Sequence, residues 1–409
     1  MKKKNMTKKS IGAVVFASAL TMSMGMPALA AGGYGAEIDG TKTTTFDKYL
    51  VMDKQAEVPN ASFTYAVTAG TAKAYNVADK KFEILAGVDA DKVTMAGVGT
   101  KAAGTITYKQ GDVTSDDENA LVKGYDNKTE KYAKKIATLD FSACRFTEPG
   151  IYRYIVTESG TNQGVTNDAD ATRVVDVYVN DVSNSTGNKL TIEGYVLHSN
   201  ADDAPAVSLG ENNGSAGSYV GTKSQGFTNS YDTSDLSIKK KVSGNQASRN
   251  KYFEFTVNIA KAVPGTVYKV DLSKADATTQ SNAATIAANE DKTNPATLTV
   301  GKDGTVSQKF YLAHGQEIKI QGIAKDSAYT VTENAEDYKS TVAGVDGYKD
   351  ATNGTVASTD LKTSYLNTRD GVIPTGVIMA VAPFAAVTLL GGAGAVTMVM
   401  KKKKSSEEE

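Results

Sequence analysis

Two sets of three residues carry the chemistry that this sequence suggests. In each set a lysine lies on a predicted first strand, a glutamate follows Val-Thr on a later strand, and an asparagine lies two residues after an aromatic on the last strand. The sets occur in the same order, and they are Lys48, Glu158 and Asn229, then Lys240, Glu333 and Asn367. Each set lies on a face of aromatic or aliphatic residues, so these side chains are predicted to point into a core.

Burial favours the neutral forms of both lysine and glutamate. A neutral amine is a nucleophile, and a neutral carboxylic acid can donate a hydrogen bond to the asparagine side-chain carbonyl and carry protons as ammonia leaves. The expected product is an amide between a lysine and an asparagine side chain, formed without a cofactor or a metal. The alternative is that each lysine extends to solvent and each glutamate and asparagine lies in a turn. The repeat in register favours the bond.

Composition excludes several other classes of function. The 409 residues carry 45 basic and 46 acidic side chains, so no nucleic-acid surface is predicted. The single cysteine, Cys144, cannot form a disulfide within the chain and is expected to be a small core residue. His198 and His314 are the only histidines and give poor support for a metal site or a catalytic triad. Both are expected at strand ends.

Alternating patterns and frequent turn residues predict an all-β fold with two tandem domains, at residues 33–232 and 235–370. The stretch 226–244 is expected to close the first domain and open the second, with the strand pattern broken at 232–235. Residues 69–135 and 271–297 are polar and are expected to be irregular, the latter with room for a short helix. Besides the strands that carry the two sets, the predicted strands are 61–68, 172–182, 190–198, 252–260, a pair around the turn 148–150 and a pair around 314–315.

Both ends of the chain are expected to be targeting segments. Residues 1–30 have a basic start, an apolar run and the small-residue site Ala28-Leu29-Ala30, which is typical of a secretory signal peptide. Residues 377–400 are apolar and uncharged, long enough for a transmembrane helix, and the basic cytoplasmic tail 401–409 follows. The chain is therefore predicted to be exported and tethered by its C-terminus, at least for a time.

The segment at 372–376 resembles a Gram-positive sortase sorting signal. Ile373, Pro374, Thr375 and Gly376 stand directly before the apolar segment and the basic tail. The resemblance implies cleavage after Thr375 and transfer of its carbonyl to an amine. The commonest form of the signal begins Leu-Pro, and the Ile-Pro form resembles a variant of some pilins. A permanent single-span membrane protein is the alternative.

These features together resemble the streptococcal-type major (backbone) pilins of Gram-positive bacteria. The passages DFSACRFTEPGIYRYIVTE and DLSIKKKVSG carry the resemblance, together with the domain order and the sorting signal. It implies two immunoglobulin-like β-sandwich domains with Lys48–Asn229 and Lys240–Asn367 isopeptide bonds, which Glu158 and Glu333 promote. It also implies that sortase joins Thr375 to a lysine of the next subunit, for which Lys223 in GTKSQGFTN is the best positional match.

The predicted function is that of a shaft subunit in a covalently polymerised, wall-attached cell-surface pilus, not an enzyme. The implied partners are sortase, identical pilin subunits, and minor pilins or peptidoglycan. One alternative is a monomeric wall-anchored adhesin that binds a host or matrix ligand through loops 69–135 or 271–297. A glycan-cleaving enzyme with two carboxylates is disfavoured, since the candidate acids fall in separate domains.

Overall fold

The computed structural model describes residues 38–372 except 78–79, 97–102, 185–186, 200–201, 203–222, 275–293 and 358. The predicted signal peptide, the sortase residues Ile373 to Gly376, the transmembrane helix and the tail lie outside these residues. Within the described part the chain is built from strands, with a single short 3-10 turn at Ala90–Lys92. None of the helical structure in that part has the length and hydrophobicity needed to cross a bilayer.

The strands up to residue 231 form a first sandwich of two sheets. One sheet has the order β1-β13-β12-β10-β3-β7, with β5 on β10 and β4 on β5, and the other has the order β11-β14-β2-β9-β6, with β8 on β9. The strands are β1 Asp39–Gly40, β2 Thr43–Asp53, β3 Ala61–Ala69, β4 Lys73–Val77, β5 Lys80–Ala86, β6 Thr94–Ala96, β7 Ala103–Tyr108, β8 Thr114–Ser115, β9 Glu130–Asp140, β10 Gly150–Ser159, β11 Val165–Thr166, β12 Thr172–Asp181, β13 Leu190–His198 and β14 Gly226–Tyr231.

The strands from residue 233 onward form a second, smaller sandwich. Its sheets have the orders β18-β17-β20-β15-β24-β22 and β19-β16-β21-β23. The strands are β15 Thr233–Ser243, β16 Phe253–Ala260, β17 Val267–Lys274, β18 Thr297–Thr299, β19 Val306–Leu312, β20 Glu317–Ala324, β21 Ala328–Asn334, β22 Lys339–Val342, β23 Asn353–Thr355 and β24 Leu361–Thr368. The all-β prediction is confirmed, whereas the domain limits 33–232 and 235–370 stay predictions.

Strand β2 shows why its sequence folds into the middle of a sheet. Phe46, Leu50 and Met52 face the main core, while Tyr49 and Val51 pack on the other side in a small apolar cluster. Both faces are therefore buried over much of the strand, as its nearly continuous apolar run requires. Lys48 lies on the core-facing side of this strand and is fully buried.

Two sequence-based expectations for the first sandwich are wrong. Residues 69–135 are not irregular, because they contain β4 to β8 and the start of β9. Most of these strands are short, so each offers few alternating positions. In β9, exposed Lys134 follows buried Ala133, and such charged outer residues make the segment look polar in sequence. Of the two strands expected around residues 148–150, the second is present as β10, which begins at Gly150, but the first is not: β9 ends at Asp140 and belongs to the other sheet.

The chain between β9 and β10 is instead a connection that crosses from one sheet to the other. Phe141, Cys144 and Phe146 are buried in the main core from this non-strand segment. Its apolar residues therefore cover the core rather than line a strand. Because these residues are apolar and buried, the composition of the segment resembles that of a strand. The burial of Cys144 confirms the prediction that it is a small core residue.

The two sandwiches are joined by almost continuous strand. Only Asp232 separates β14 from β15, so the expected break at 232–235 is shorter than predicted. Contacts flank this joint: Thr233 Oγ1 donates to Asp53 Oδ2 at 2.8 Å, and Gln163 Nε2 donates to the Lys325 carbonyl oxygen at 2.7 Å. Ala324 of the second sandwich is fully buried in the core cluster of the first. Packing and hydrogen bonds therefore hold the two sandwiches together.

Gly164 provides a test of this joint. Its φ is +70°, and a Cβ placed on it would lie 3.0 Å from both Ala324 Cβ and a ring atom of Tyr231. We expect Gly164→Val to reduce the free energy of unfolding by about 1 kcal/mol through backbone strain and by a further 1–3 kcal/mol through overpacking. The control is Gly124→Val, which has a φ of +75° and no atom within 4 Å of its Cβ position. Thermal unfolding followed by circular dichroism compares them, and equal losses would contradict this description.

Candidate functional site

Parallel pairing of the first and last strands of each sandwich brings lysine and asparagine together. In the first sandwich Lys48 on β2 lies opposite Phe227 on β14, and Asn229 lies opposite Leu50. The second sandwich repeats this register between β15 and β24, where Lys240 lies opposite Tyr365 and Asn367 lies opposite Val242. In both cases the asparagine lies two residues beyond the aromatic residue that faces the lysine, so it projects from the same face of the sheet.

Each glutamate comes from the opposite sheet of its sandwich. Glu158 lies on β10, paired with Tyr65 of β3. Glu333 lies on β21, paired with Phe255 of β16. The structure therefore brings together the three members of each predicted set, two from one sheet and one from the other.

The first site is centred on one carboxylate oxygen. Glu158 Oε1 accepts hydrogen bonds from Lys48 Nζ at 2.9 Å and from Asn229 Nδ2 at 2.8 Å. Its second oxygen, Oε2, lies 2.8 Å from Lys48 Nζ and also accepts a hydrogen bond from the Tyr65 hydroxyl. Amine and amide nitrogens are thus neighbours on the same carboxylate, and the carboxylate has a partner for each oxygen.

The second site has the same arrangement with different support. Glu333 Oε1 accepts hydrogen bonds from Lys240 Nζ and, at 3.1 Å, from Asn367 Nδ2. Its Oε2 accepts from Ser340 Oγ at 2.8 Å. The side chains of Lys240 and Glu333 are 0% and 1% exposed. A serine hydroxyl therefore satisfies the oxygen that a tyrosine hydroxyl satisfies in the first sandwich.

Aromatic rings exclude water from both amines. Lys48 Nζ lies 4.2 Å from the centroid of the Phe63 ring, and Lys240 Nζ lies 4.2 Å from that of Phe253. Burial is the main cause that lowers the pKa of Lys48 from 10.5 to about 8, and Glu158 acts in the opposite direction. Lys240 shows the same shift to about 8, again through burial and against the effect of Glu333. Both amines are therefore much easier to deprotonate than an exposed lysine.

The orientation of the asparagine amide differs from the sequence-based expectation. We expected the glutamate to donate to the asparagine carbonyl, but Glu158 accepts from the amide nitrogen of Asn229. The carbonyl oxygen of Asn229 instead accepts a hydrogen bond from the backbone N–H of Asp168 at 2.9 Å. A backbone N–H can only donate and an ionised carboxylate can only accept, so the two contacts fix the amide orientation together.

Sequence reasoning missed several residues that complete these sites. Tyr65 and Ser340 support the glutamates, and Asp168 with Arg173 lies beside Asn229. Tyr65 belongs to the alternating pattern of a predicted strand and was available as a candidate. Arg173 also lies on a predicted strand, β12, whereas Asp168 lies on a loop and Ser340 on the short edge strand β22. Their proximity to the two sites comes only from tertiary folding.

Lys223 lies shortly before β14 and is exposed. It forms an isolated antiparallel bridge with His198, the last residue of β13. The amide of the next residue, Ser224, donates to the carbonyl oxygen of Leu197 at 2.9 Å. Lys223 is thus exposed, whereas Lys48 and Lys240 are fully buried.

Comparisons with known proteins agree with this architecture. Residues 37–232 match the family FctA, described as the Spy0128-like isopeptide containing domain. Residues 234–369 match a domain of unknown function, DUF7601. A pilin of Streptococcus pyogenes serotype M1 is 27% identical over 383 residues, which are 89% of this chain and 92% of that protein.

Solved structures of major pilins are also similar to the chain. The crystal structure of the major pilin from Streptococcus pyogenes is 22% identical, covers 81% of this chain and 100% of its own, and gives a TM-score of 0.47. The major pilin T3.2 of Streptococcus pyogenes serotype GAS13637 gives the same identity, coverage and TM-score.

The family match defines the first sandwich as a Spy0128-like isopeptide-containing domain. Together these matches support a Gram-positive backbone pilin, as the resemblance of the sequence predicted.

The buried pair can be tested for its effect on stability in an Asn229→Ala background, where no Lys48–Asn229 bond can form. There we expect Glu158→Ala to reduce the free energy of unfolding by about 3–5 kcal/mol, because it leaves the amine of Lys48 buried without a partner. Replacing the pair by Lys48→Met with Glu158→Leu, together with Tyr65→Phe so that no hydroxyl is left without its acceptor, is expected to be neutral or stabilising. Urea unfolding followed by circular dichroism measures both.

The matched control is an exposed ion pair. Lys92 Nζ lies 2.7 Å from Asp89 Oδ1, with side chains 46% and 24% exposed. We expect Lys92→Met to cost no more than about 1 kcal/mol. A Glu158→Ala loss as small as this control would argue against an important buried pair.

Proposed function

We propose that this chain is the shaft subunit of a covalently polymerised cell-surface pilus and that each of its sandwiches closes itself with an intramolecular Lys–Asn amide. One observation carries the second part. Twice, in the same register, a buried lysine amine and a buried asparagine amide share one oxygen of a buried glutamate. The protein is structural, so this chemistry acts on its own side chains.

The reaction begins with the neutral amine. Lys48 Nζ forms a bond to the side-chain carbon of Asn229, and the bond from that carbon to Nδ2 breaks. Glu158 takes a proton from the attacking nitrogen and delivers one to the departing nitrogen, so that ammonia leaves and a secondary amide remains. Lys240, Glu333 and Asn367 take the same parts in the second sandwich.

The fixed positions of the amine and the amide accelerate this reaction. Packing keeps Lys48 and Asn229 on adjacent strands, so the encounter of amine and amide requires no loss of translational freedom at the moment of reaction. The paired strands β2 and β14 are hydrogen-bonded in parallel. A covalent bond between them would close a loop of nearly the whole sandwich. By analogy with other cross-links, restricting the unfolded chain in this way would raise the free energy of unfolding by roughly 5 kcal/mol.

Polymerisation requires a second kind of amide, which we assign to sortase. The residues Ile373, Pro374, Thr375 and Gly376 would form its recognition segment, and the carbonyl of Thr375 would pass to a lysine of the next subunit or to the cell wall. Lys223 is the candidate acceptor, since it is exposed next to the start of β14. The predicted signal peptide and transmembrane helix would bring the chain to the cell surface and hold it there until transfer.

Intact-mass spectrometry tests the intramolecular bonds. We expect the purified wild-type chain to lack two ammonia molecules relative to its sequence, one per sandwich. Glu158→Ala and Glu333→Ala should each restore one, because each removes the group that carries protons in one sandwich.

The control is Glu193→Ala, which removes an exposed glutamate that accepts from Asn180 Nδ2 at 2.6 Å. Both ammonia molecules should remain absent in this variant. Peptide mapping should place the bonds at Lys48–Asn229 and Lys240–Asn367. A wild-type mass equal to that of the sequence would overturn the intramolecular chemistry.

Electrophoresis of wall extracts tests polymerisation. Cells that express the wild-type chain with its sortase should show a ladder of multimers resistant to detergent, and deletion of Thr375 and Gly376 should abolish it. We expect Lys223→Arg to abolish the ladder as well, because arginine keeps the charge but cannot serve as the acceptor amine. Lys241→Arg, at another exposed lysine, is the control and should keep the ladder. A single monomer band from wild-type cells would favour a monomeric adhesin.

A further inference from the structure

The two sites differ at the carbonyl oxygen that must accept negative charge during amide formation. In the first sandwich, Asn229 Oδ1 accepts a hydrogen bond of 2.9 Å from the backbone N–H of Asp168. In the second, Asn367 Oδ1 is buried and has no hydrogen-bond partner among the described residues. The reacting groups are otherwise the same, so this donor is a separate feature of the first site.

The side chain of Asp168 fixes the position of its own backbone N–H. Its Oδ2 accepts from the backbone N–H of Thr228 at 2.9 Å and from Arg173 Nη2 at 2.6 Å. Its Oδ1 accepts from the backbone N–H of Asp170 at 3.1 Å. Thr228 directly precedes Asn229, so Asp168 is attached to the strand that carries the reacting amide.

Arg173 secures this attachment from the other side. Its Nε donates to the Gly226 carbonyl oxygen at 2.7 Å, and its Nη1 donates to the Thr172 carbonyl oxygen at 2.8 Å. Its guanidinium lies 4.6 Å from the centroid of the Phe227 ring. Asp168 and Arg173 are 8% and 5% exposed. A buried ion pair of this kind maintains its geometry only when its polar atoms are satisfied, as they are here.

We propose that the backbone N–H of Asp168 is an oxyanion donor for amide formation at the first site, and that the Asp168–Arg173 pair positions it. This inference rests on the proposed intramolecular bond. When Lys48 Nζ attacks the side-chain carbon of Asn229, the carbonyl electron pair moves onto Oδ1, and the N–H of Asp168 stabilises that charge. When ammonia leaves, the pair returns to reform the carbonyl, so the donor is unchanged by the reaction.

A donor placed before the reaction is more effective than water because it does not reorganise as charge develops. Glu158 cannot supply this effect in the observed geometry, since it contacts the amide nitrogen of Asn229 rather than its oxygen. The first site therefore divides the work between two groups. Glu158 carries protons, and Asp168 stabilises the oxygen, whereas Glu333 in the second site acts without a counterpart of Asp168 among the described residues.

The test is a pulse of cell-free synthesis of the full chain, a chase at fixed pH, and an acid quench, with each bond counted by mass spectrometry of cross-linked peptides. We expect Asp168→Ala to slow formation of the Lys48–Asn229 bond about 10- to 100-fold, since losing an oxyanion donor has costs of this order or larger. Asp168→Asn should recover much of the rate, because its side-chain oxygen can still accept from Thr228. The Lys240–Asn367 bond in the same molecules is the internal control and should form at the wild-type rate.

The pH dependence separates a lost donor from a loosened core. Lys48 is faced by Glu158, Asp168 and Arg173, and the last two shift its pKa in opposite directions. The double variant Asp168→Ala/Arg173→Met removes both influences. The wild-type rate should rise with pH through about 8, where the amine loses its proton, and then level off. The double variant should be slower with a midpoint no higher than that of the wild type, because Asp168 raises the pKa of Lys48 more than Arg173 lowers it, whereas hydration of Lys48 would move the midpoint towards 10.5.

Each result has a distinct meaning. Wild-type chains that form neither bond would overturn the proposed function itself. Wild-type chains that form both bonds, with Asp168→Ala forming the first at the wild-type rate, would overturn this inference alone. A slower double variant whose midpoint has moved upwards would also overturn it, because the pair would then act by keeping Lys48 dry.

Discussion

A single carboxylate oxygen in a dry core determines much of this structure. Glu158 Oε1 receives both Lys48 and Asn229, and a buried carboxylate is tolerated only when donors surround it. Those donors come from the facing sheet, so the two sheets must meet in one register. The parallel pairing of β2 with β14 places the amine and the amide on one face of one sheet, next to this carboxylate.

The second sandwich satisfies the same constraint with different residues. Ser340 takes the place of Tyr65 at the outer carboxylate oxygen, and Phe255 occupies the position opposite the glutamate. Only the first sandwich has a donor from the described residues for the asparagine carbonyl. The lysine, glutamate and asparagine are thus the constant part of the site. The surrounding hydrogen bonds vary, as expected where several arrangements can satisfy one buried polar group.

The joint between the sandwiches places the two sites along one nearly unbroken segment. Asn229 lies on β14 and Lys240 lies on β15. Only Asp232 separates these two strands. Side-chain contacts around Gly164 and Ala324 pack the two sandwiches together at this joint. A pilus shaft must resist extension, and this arrangement leaves little slack chain between its two sandwiches.

The sequence alone determined the all-β class, most long strands, and the two sets of lysine, glutamate and asparagine, because alternation and in-register repetition are local patterns. It failed at 69–135 and at Phe141 to Phe146, where short edge strands and a core-covering connection lack a readable period. The amide orientation of Asn229 and the position of Asp168 and Arg173 beside it follow from tertiary contacts alone. These contacts join residues distant in sequence, and their geometry follows from how two sheets and a loop pack.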